Sequence, residues 1–349
     1  MSRRATSAMV AAFLLVALVA VAFLLPVPYV ALGPGPVSDT LGSNGGTPLI
    51  EISGRPTYPT QGSLDLVTVS VVGGPGDALT LAQAVEGWLD PTVAVVPEQS
   101  VFPKGETAQQ VQQQTAAEMR SSQQSATTAA LRQLGYPVTT QVVVDSVVAG
   151  SPAQGRLEKD DVVVAVDGTA VTALDQVAQL VRRHAPGEAV RFTVRRGGAT
   201  QELTLTTRAA PDDPKVAMVG IVLREDAQYP FTVRIQLDNV GGPSAGLMFA
   251  LGIVDKLTPE DITGGRRIAG TGTIDSSGKV GPIGGIQQKL YAARSAGATV
   301  FLIPAGNCAA AAADAPAGLR LVKVDTLQAA LDALQALRTG QGAVPSCTS

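Results

Sequence analysis

Only one histidine, His184, occurs in the 349 residues, so chemistry that needs an activated nucleophile has to find its base elsewhere. The segment GGPSAG at Gly241 to Gly246 offers Ser244, and Lys289 follows 45 positions later within GPIGGIQQKL. A serine and a lysine can carry out acyl transfer without an imidazole. For the lysine to take the hydroxyl proton it must be neutral, although its reference pKa is about 10.4. Burial penalises the ammonium form, and a fall of three units corresponds to roughly 4 kcal/mol. Ile286, Leu290 and Ala293 surround Lys289 on the apolar side of a predicted helix. Gly241 and Gly242 permit close backbone approach, and first-turn N–H groups, that of Ala245 among them, can face a developing oxyanion. Taken singly, a serine in a helix N-terminal turn and a surface lysine are ordinary features.

The elements that must hold these residues alternate. Phe231 to Leu237 reads as a strand with two different faces. A helix should start near Pro243 and continue through Leu247, Leu251 and Val254. A second helix covers Ile286 to Ala296, apolar runs at Thr299 to Ile303 and Leu319 to Val324 suit core strands, and Thr326 to Arg338 closes the region as an amphipathic helix. The class expected is α/β (α+β), over residues 212–340. Before it, 134–207 carries short β-branched strands around a single helix in which Leu174, Val177 and Val181 recur at helical spacing. Residues 45–133 read as a mixed region containing a strand at Leu64 to Val72 and a polar helical spacer from Gly105 to Leu134. Gly33 to Pro48 reads as a linker.

Arg3 and Arg4 precede an apolar run from Ala8 to Leu25 that extends, broken by prolines, to Leu32. Residues 8–32 are therefore expected to form a retained transmembrane anchor, a cleaved signal peptide being the alternative. No Lys or Arg follows Arg4 until Arg55, a bias that sends the remainder of the chain to the extracytoplasmic side of the cytoplasmic membrane. In that setting Cys308 and Cys347 either pair or remain as two thiols. A net charge of -3 and 4% aromatic content argue against a nucleic-acid partner. No cysteine or histidine spacing resembles a metal site.

The stretch from Asp238 to Val300 resembles the proteolytic domain of the Lon family of serine-lysine proteases. The likeness rests on GPSAG at Gly242 to Gly246 and on IAGTGTIDSSGKVGPIGGIQQKLYAARSAG from Ile268 to Gly297, and extends over roughly Val216 to Leu337. It implies that Ser244 is the nucleophile, Lys289 the general base and Thr271 a hydrogen-bond partner for the lysine. Asp238 is either a group of the site or a solvated, capping carboxylate. The family's ATP-driven half has no counterpart in what precedes, and no GxxxxGK[ST] loop is present, so neither ATP nor another cofactor is expected. Lon-like relatives also imply a homo-oligomer.

The unit at 134–207 resembles a PDZ domain, a β-sandwich or partial barrel, through VAGSPA at Val148 to Ala153, Asp160 to Val163 and Val166 to Gly168. Such domains add a peptide to a sheet edge and receive its carboxylate on backbone N–H groups. The resemblance puts the carboxylate loop at Gly135, Tyr136, Pro137 and Val138, with Leu174, Val177 and Val181 on the groove helix. Pro137 has no N–H to give. A purely structural or autoinhibitory module is the alternative. Together the segments resemble membrane-anchored Lon-like PDZ proteases of bacteria, which implies an ATP-independent serine endopeptidase acting on exported or envelope polypeptides. An inactive PDZ adaptor and a protease limited to self-processing are the competing expectations.

Overall fold

The computed structural model describes residues 3–210, 213–237 and 240–347. These divide into two compact units, one built from 1–135 and 231–349 and the other from 136–230. In chain order the first unit contributes α1 (Arg3–Phe23), β1 (Tyr29–Asp39), β2 (Ile50–Ser53), β3 (Ser63–Val72), α2 (Leu81–Leu89), β4 (Ala94–Pro97) and α3 (Ala108–Gln133). The second supplies β5 (Thr139–Val147), β6 (Val162–Val166), α4 (Leu174–Val181), β7 (Ala189–Arg196), β8 (Ala199–Thr206) and β9 (Ile221–Gln228). The chain then returns to the first unit for β10 (Thr232–Ile235), α5 (Gly246–Leu257), β11 (Arg267–Gly270), α6 (Ile286–Ser295), β12 (Val300–Pro304), β13 (Arg320–Val324) and α7 (Leu327–Thr339).

The first unit is a helix–sheet–helix sandwich. Its main sheet runs β13-β12-β11-β3-β1-β4, parallel from β13 to β3 and antiparallel beyond. Successive strand residues point to opposite faces. Val67, Ala269, Phe301 and Ile303 therefore meet Ile286, Leu290 and Ala293 of α6 in one apolar cluster. On the other face a Cβ added to Gly270 would lie 2.5 Å from Met248 Sδ of α5, so glycine there lets helix and sheet close together. Helix α5 is apolar on nearly every side and buried along most of its length, as a central helix should be.

Several boundaries differ from those expected. Residues 45–133 are not a separate region: β3 pairs with β11 from Ser63 to Leu66, inside the same sheet as the later strands. The first part of the linker expected at Gly33 to Pro48, through Asp39, is instead β1, whose glycines and prolines hide it in the sequence. An irregularity between Pro34 and Val37 accommodates the prolines, and a Cβ on Gly35 would lie 2.4 Å from Thr68 Oγ1. The spacer is a single 26-residue helix, α3, which packs against α5 and buries small residues such as Ser122, Ala126, Ala129 and Ala130. Its low overall hydrophobicity disguised a buried face. Helix α1 stops at Phe23 and the chain enters β1 by Tyr29, short of the expected limit at Leu32. Its apolar stretch from Ala8 to Phe23 amounts to about 24 Å of helix, against a hydrocarbon thickness of about 30 Å. Among the described residues no helix is long and apolar enough to cross a membrane.

In the second unit the sheet order is β8-β7-β6-β5-β9, all antiparallel, closed over a core that includes Val142, Phe192 and Val194 from the strands and Val177 and Val181 from α4. The strand at Ile221–Gln228, expected in the later region, belongs here because it pairs along β5 from Thr139 to Val147.

Candidate functional site

Ser244 lies in a turn just ahead of α5, two residues before the helix, which was expected to begin near Pro243, becomes regular at Gly246. The turn is held from three sides. Gly242 N–H donates to the Thr115 carbonyl of α3 at 3.0 Å, and Ser122 Oγ donates to the Pro243 carbonyl at 2.9 Å. The Ser244 carbonyl accepts from Gly272 N–H at 2.8 Å and from Thr271 Oγ1 at 3.0 Å. Both glycines are dictated locally. Gly242 has φ +85, which a side chain resists, and a Cβ on Gly241 would fall 2.7 Å from Thr115 Cβ. With its N–H committed to Thr115, Gly242 is removed from the set of oxyanion donors. The N–H groups of Ser244 and Ala245 precede the helix and have no backbone acceptor among the described residues.

Lys289 reaches the same point from α6. Gly285 caps that helix with φ +64, and a Cβ there would lie 2.5 Å from Val69 Cγ2, so the helix start is pressed onto β3. One turn later Lys289 Nζ stands 2.9 Å from Ser244 Oγ and 3.1 Å from Thr271 Oγ1. The lysine is 3% exposed and Thr271 0%. No carboxylate is paired with Lys289 among the described residues. Burial therefore acts unopposed, and desolvation pulls the amine down to about 8. At pH 7 about a tenth of such a lysine is neutral, against about 0.03% of one with an unshifted value. A cavity of about 640 Å³ opens over Ser244 and Lys289, walled by Val67 to Val71 of β3 and by Val101 and Met119. The sequence thus named three residues that the fold brings to one point. It did not reveal Ser122 or Thr115, because nothing in a Gln- and Ala-rich helix marks which hydroxyl or carbonyl will meet a distant loop.

Asp238 lies outside the described residues. His184 sits in the second unit with Nε2 at hydrogen-bonding distance, 2.6 Å, from Asp167 Oδ2. Cys308 and Cys347 form a disulfide across a separation of 39 residues.

The expected carboxylate loop does not border the cavity beside α4. Val177 and Val181 of α4 do line a cavity, of about 270 Å³, but its other wall is Ala217 to Ile221 with Leu223. Gly135, Tyr136 and Val138 are absent from that lining: Gly135 follows α3, and the next residues lead into β5. Leu174 packs against the module's core instead. The reason is topological. The strand bordering the cavity is β9, at the sheet edge, and the loop before it ends at Gly220, with φ +77. The run Val219-Gly220-Ile221-Val222-Leu223, a glycine opening an apolar strand, was the available signal.

Comparison with known proteins places these features among relatives. Residues 239–335 match the Lon protease (S16) C-terminal proteolytic domain, and residues 109–207 match the PDZ domain. The latter match takes in most of α3, which the fold assigns to the first unit, and stops before β9. Lon protease from Campylobacter concisus is 40% identical over 90 residues, 25% of this chain and 11% of that protein. Lon protease 1 from Bacillus subtilis is 30% identical over 138 residues, 32% of this chain and 17% of that protein. The chain therefore spans well under a quarter of the length of either relative. Among solved structures, a solution structure from Geobacillus thermodenitrificans is 33% identical, covering 24% of this chain and 94% of its own, at a TM-score of 0.22. The PDZ domain of the SdrC-like protein from Listeria monocytogenes is 22% identical, covering 24% and 85%, also at 0.22.

Proposed function

We propose that this chain is a serine endopeptidase in which Ser244 and Lys289 form the catalytic pair. The observation that carries the reading is the 2.9 Å approach of a buried lysine, its amine pulled down to about 8, to a serine at a helix entrance. Neutral Lys289 takes the hydroxyl proton as Ser244 Oγ attacks a peptide carbonyl. The N–H groups of Ser244 and Ala245 face the oxyanion, such donors being worth roughly 2.7–4 kcal/mol each. The lysine ammonium then gives its proton to the departing amine, and water, deprotonated by the same lysine, releases the acyl group and restores the serine. Thr271 orients the amine by accepting from it while donating to the Ser244 carbonyl.

The peptidase works without nucleotide, since the sequence carries no phosphate-cradling loop. The PDZ module captures an extended polypeptide along β9, beside α4. The chain is held at the cytoplasmic membrane through its apolar amino-terminal segment, with both modules outside. Support for this comes from Arg3 and Arg4 ahead of that segment and from the exposure of Phe13, Leu14, Leu15 and Leu18 on it. A helix slightly short for the bilayer is accommodated by local thinning. The natural substrates are exported polypeptides.

The test is fluorophosphonate labelling and casein or peptide turnover by the purified full chain, beside Ser244→Ala and Lys289→Ala. Both variants should lose labelling and turnover with their circular dichroism unchanged. Turnover retained by Ser244→Ala refutes the proposal. Carbonate extraction of cell membranes checks the anchoring, which fails if the chain is released.

A further inference from the structure

Adjoining the nucleophile turn lies a second cavity, of about 700 Å³, more polar in its lining than the first. Among the described residues its walls are the stretch of α3 from Gln112 to Gln123 and, opposite, Ile235 to Leu237 with Val240 and Gly241. It shares Met119, Val240 and Gly241 with the cavity above Ser244, so the two spaces meet at the turn that presents the hydroxyl. The Thr115–Gly242 hydrogen bond ties the walls together at that junction. Five valines line the first cavity, and Lys289 is its one charged side chain among the described residues. Among the described residues the second adds to Ile235, Leu237 and Val240 the amides of Gln112, Gln123 and Gln236 and a guanidinium, Arg120, the one charged side chain of that lining. Arg120 is exposed and has no carboxylate partner among the described residues.

We infer that this second cavity is a substrate subsite that receives a polar, carboxylate-bearing flank of the polypeptide while the apolar flank lies along β3. The inference deepens the proposed peptidase reading and rests on it. A chain that crosses Ser244 has to leave the valine-walled space, and the adjoining space offers glutamine donors and acceptors for backbone groups and one cation for a carboxylate. The carboxylate comes either from an Asp or Glu side chain or from a substrate's own carboxyl terminus.

The experiment uses the full chain carrying Ser244→Ala, so that binding is read without turnover. Fluorescent peptides share one apolar half; the other half carries two Glu, two Gln or two Lys. These three are amidated to keep a free terminus away from the PDZ module, and a fourth peptide carries two Gln with a free carboxylate. The Glu peptide should bind about three- to tenfold more tightly than the Lys peptide, as expected for gaining one exposed ion pair and avoiding one repulsion. Arg120→Glu should reverse that order, Arg120→Gln should abolish it, and added salt should narrow it. If Arg120→Gln instead weakens only the free-carboxylate peptide, the chain terminus is the ligand. Equal binding of all four peptides, or a preference untouched by both Arg120 variants, overturns the inference. Turnover of the same peptides by the unsubstituted chain is measured in parallel, so a protein that binds as described but cuts nothing refutes the peptidase reading alone.

Discussion

Replacing Lys289 by Met separates catalysis from stability. The amine sits 3% exposed with no counter-charge among the described residues, and desolvation lowers it from 10.5 to about 8. The sign follows from proton uptake. Below pH 8 the folded protein must hold a buried ammonium that the unfolded chain holds in water. Between 8 and 10.5 the unfolded chain binds more protons than the folded one, so stability rises with pH across that window. The accumulated cost at pH 7 is roughly 3 kcal/mol, falling to less than about 1 kcal/mol at pH 10. Methionine has similar length and no charge to desolvate. Its packing and the lost contacts to Ser244 and Thr271 add a term that does not change with pH. The difference in unfolding free energy between Lys289→Met and the unsubstituted protein should therefore become less favourable to methionine by between roughly 2 and 3 kcal/mol from pH 7 to pH 10. Urea unfolding at four pH values measures it, with fluorophosphonate labelling of the same samples. Labelling should be lost at every pH. A stability difference that stays constant within about 0.5 kcal/mol, or a methionine variant that still labels, refutes the claim that a buried, desolvated lysine activates Ser244.

The rate of fluorophosphonate labelling of the unsubstituted chain should rise with pH to a plateau, with an apparent midpoint near 8; a flat profile from pH 6.5 to 9.5 contradicts the assignment. Thr271→Val removes both the hydroxyl at Lys289 and one of the two donors to the Ser244 carbonyl, and should slow labelling by about tenfold while costing about 1–2 kcal/mol in urea unfolding. Loss of the disulfide through Cys347→Ser frees a loop of 39 residues and should cost up to about 4 kcal/mol, read as a lower urea midpoint that reductant reproduces in the parent. Gly220→Ala places a Cβ 2.3 Å from that of Ser151 at a positive φ, so capture of carboxyl-terminal peptides by the PDZ module should fall at least tenfold, with labelling of Ser244 retained.

What the sequence disclosed and what it hid follow from the range of the interactions involved. Ser244, Lys289 and Thr271 sit in segments whose local patterns are strong: a glycine-rich turn, a helix with an apolar side and a β-strand end. The possible chemistry of Ser244 and Lys289 was legible from those patterns, whereas the role of Thr271 came only from the resemblance to the Lon family. Helix α3 and strand β1 were misread because their roles depend on partners far along the chain. Small residues bury well only when another helix comes close, and a strand interrupted by Pro34 and Pro36 survives only because β3 follows it through the irregularity. The same dependence relocated the PDZ cavity, since which loop borders α4 is decided by pairing of β9 with β5 and not by position next to the module's first residue. One consequence concerns the catalytic turn itself. Two of its hydrogen bonds come from Thr115 and Ser122, in α3, and the chain passes from the end of that helix into the PDZ module before returning to the serine. A nucleophile held by a helix on the far side of an inserted module can be shaped only after both flanks of that module have folded together. A fragment starting at Phe231 therefore lacks the acceptor for Gly242 N–H and the donor for the Pro243 carbonyl, and should fail to label although it contains Ser244, Thr271 and Lys289.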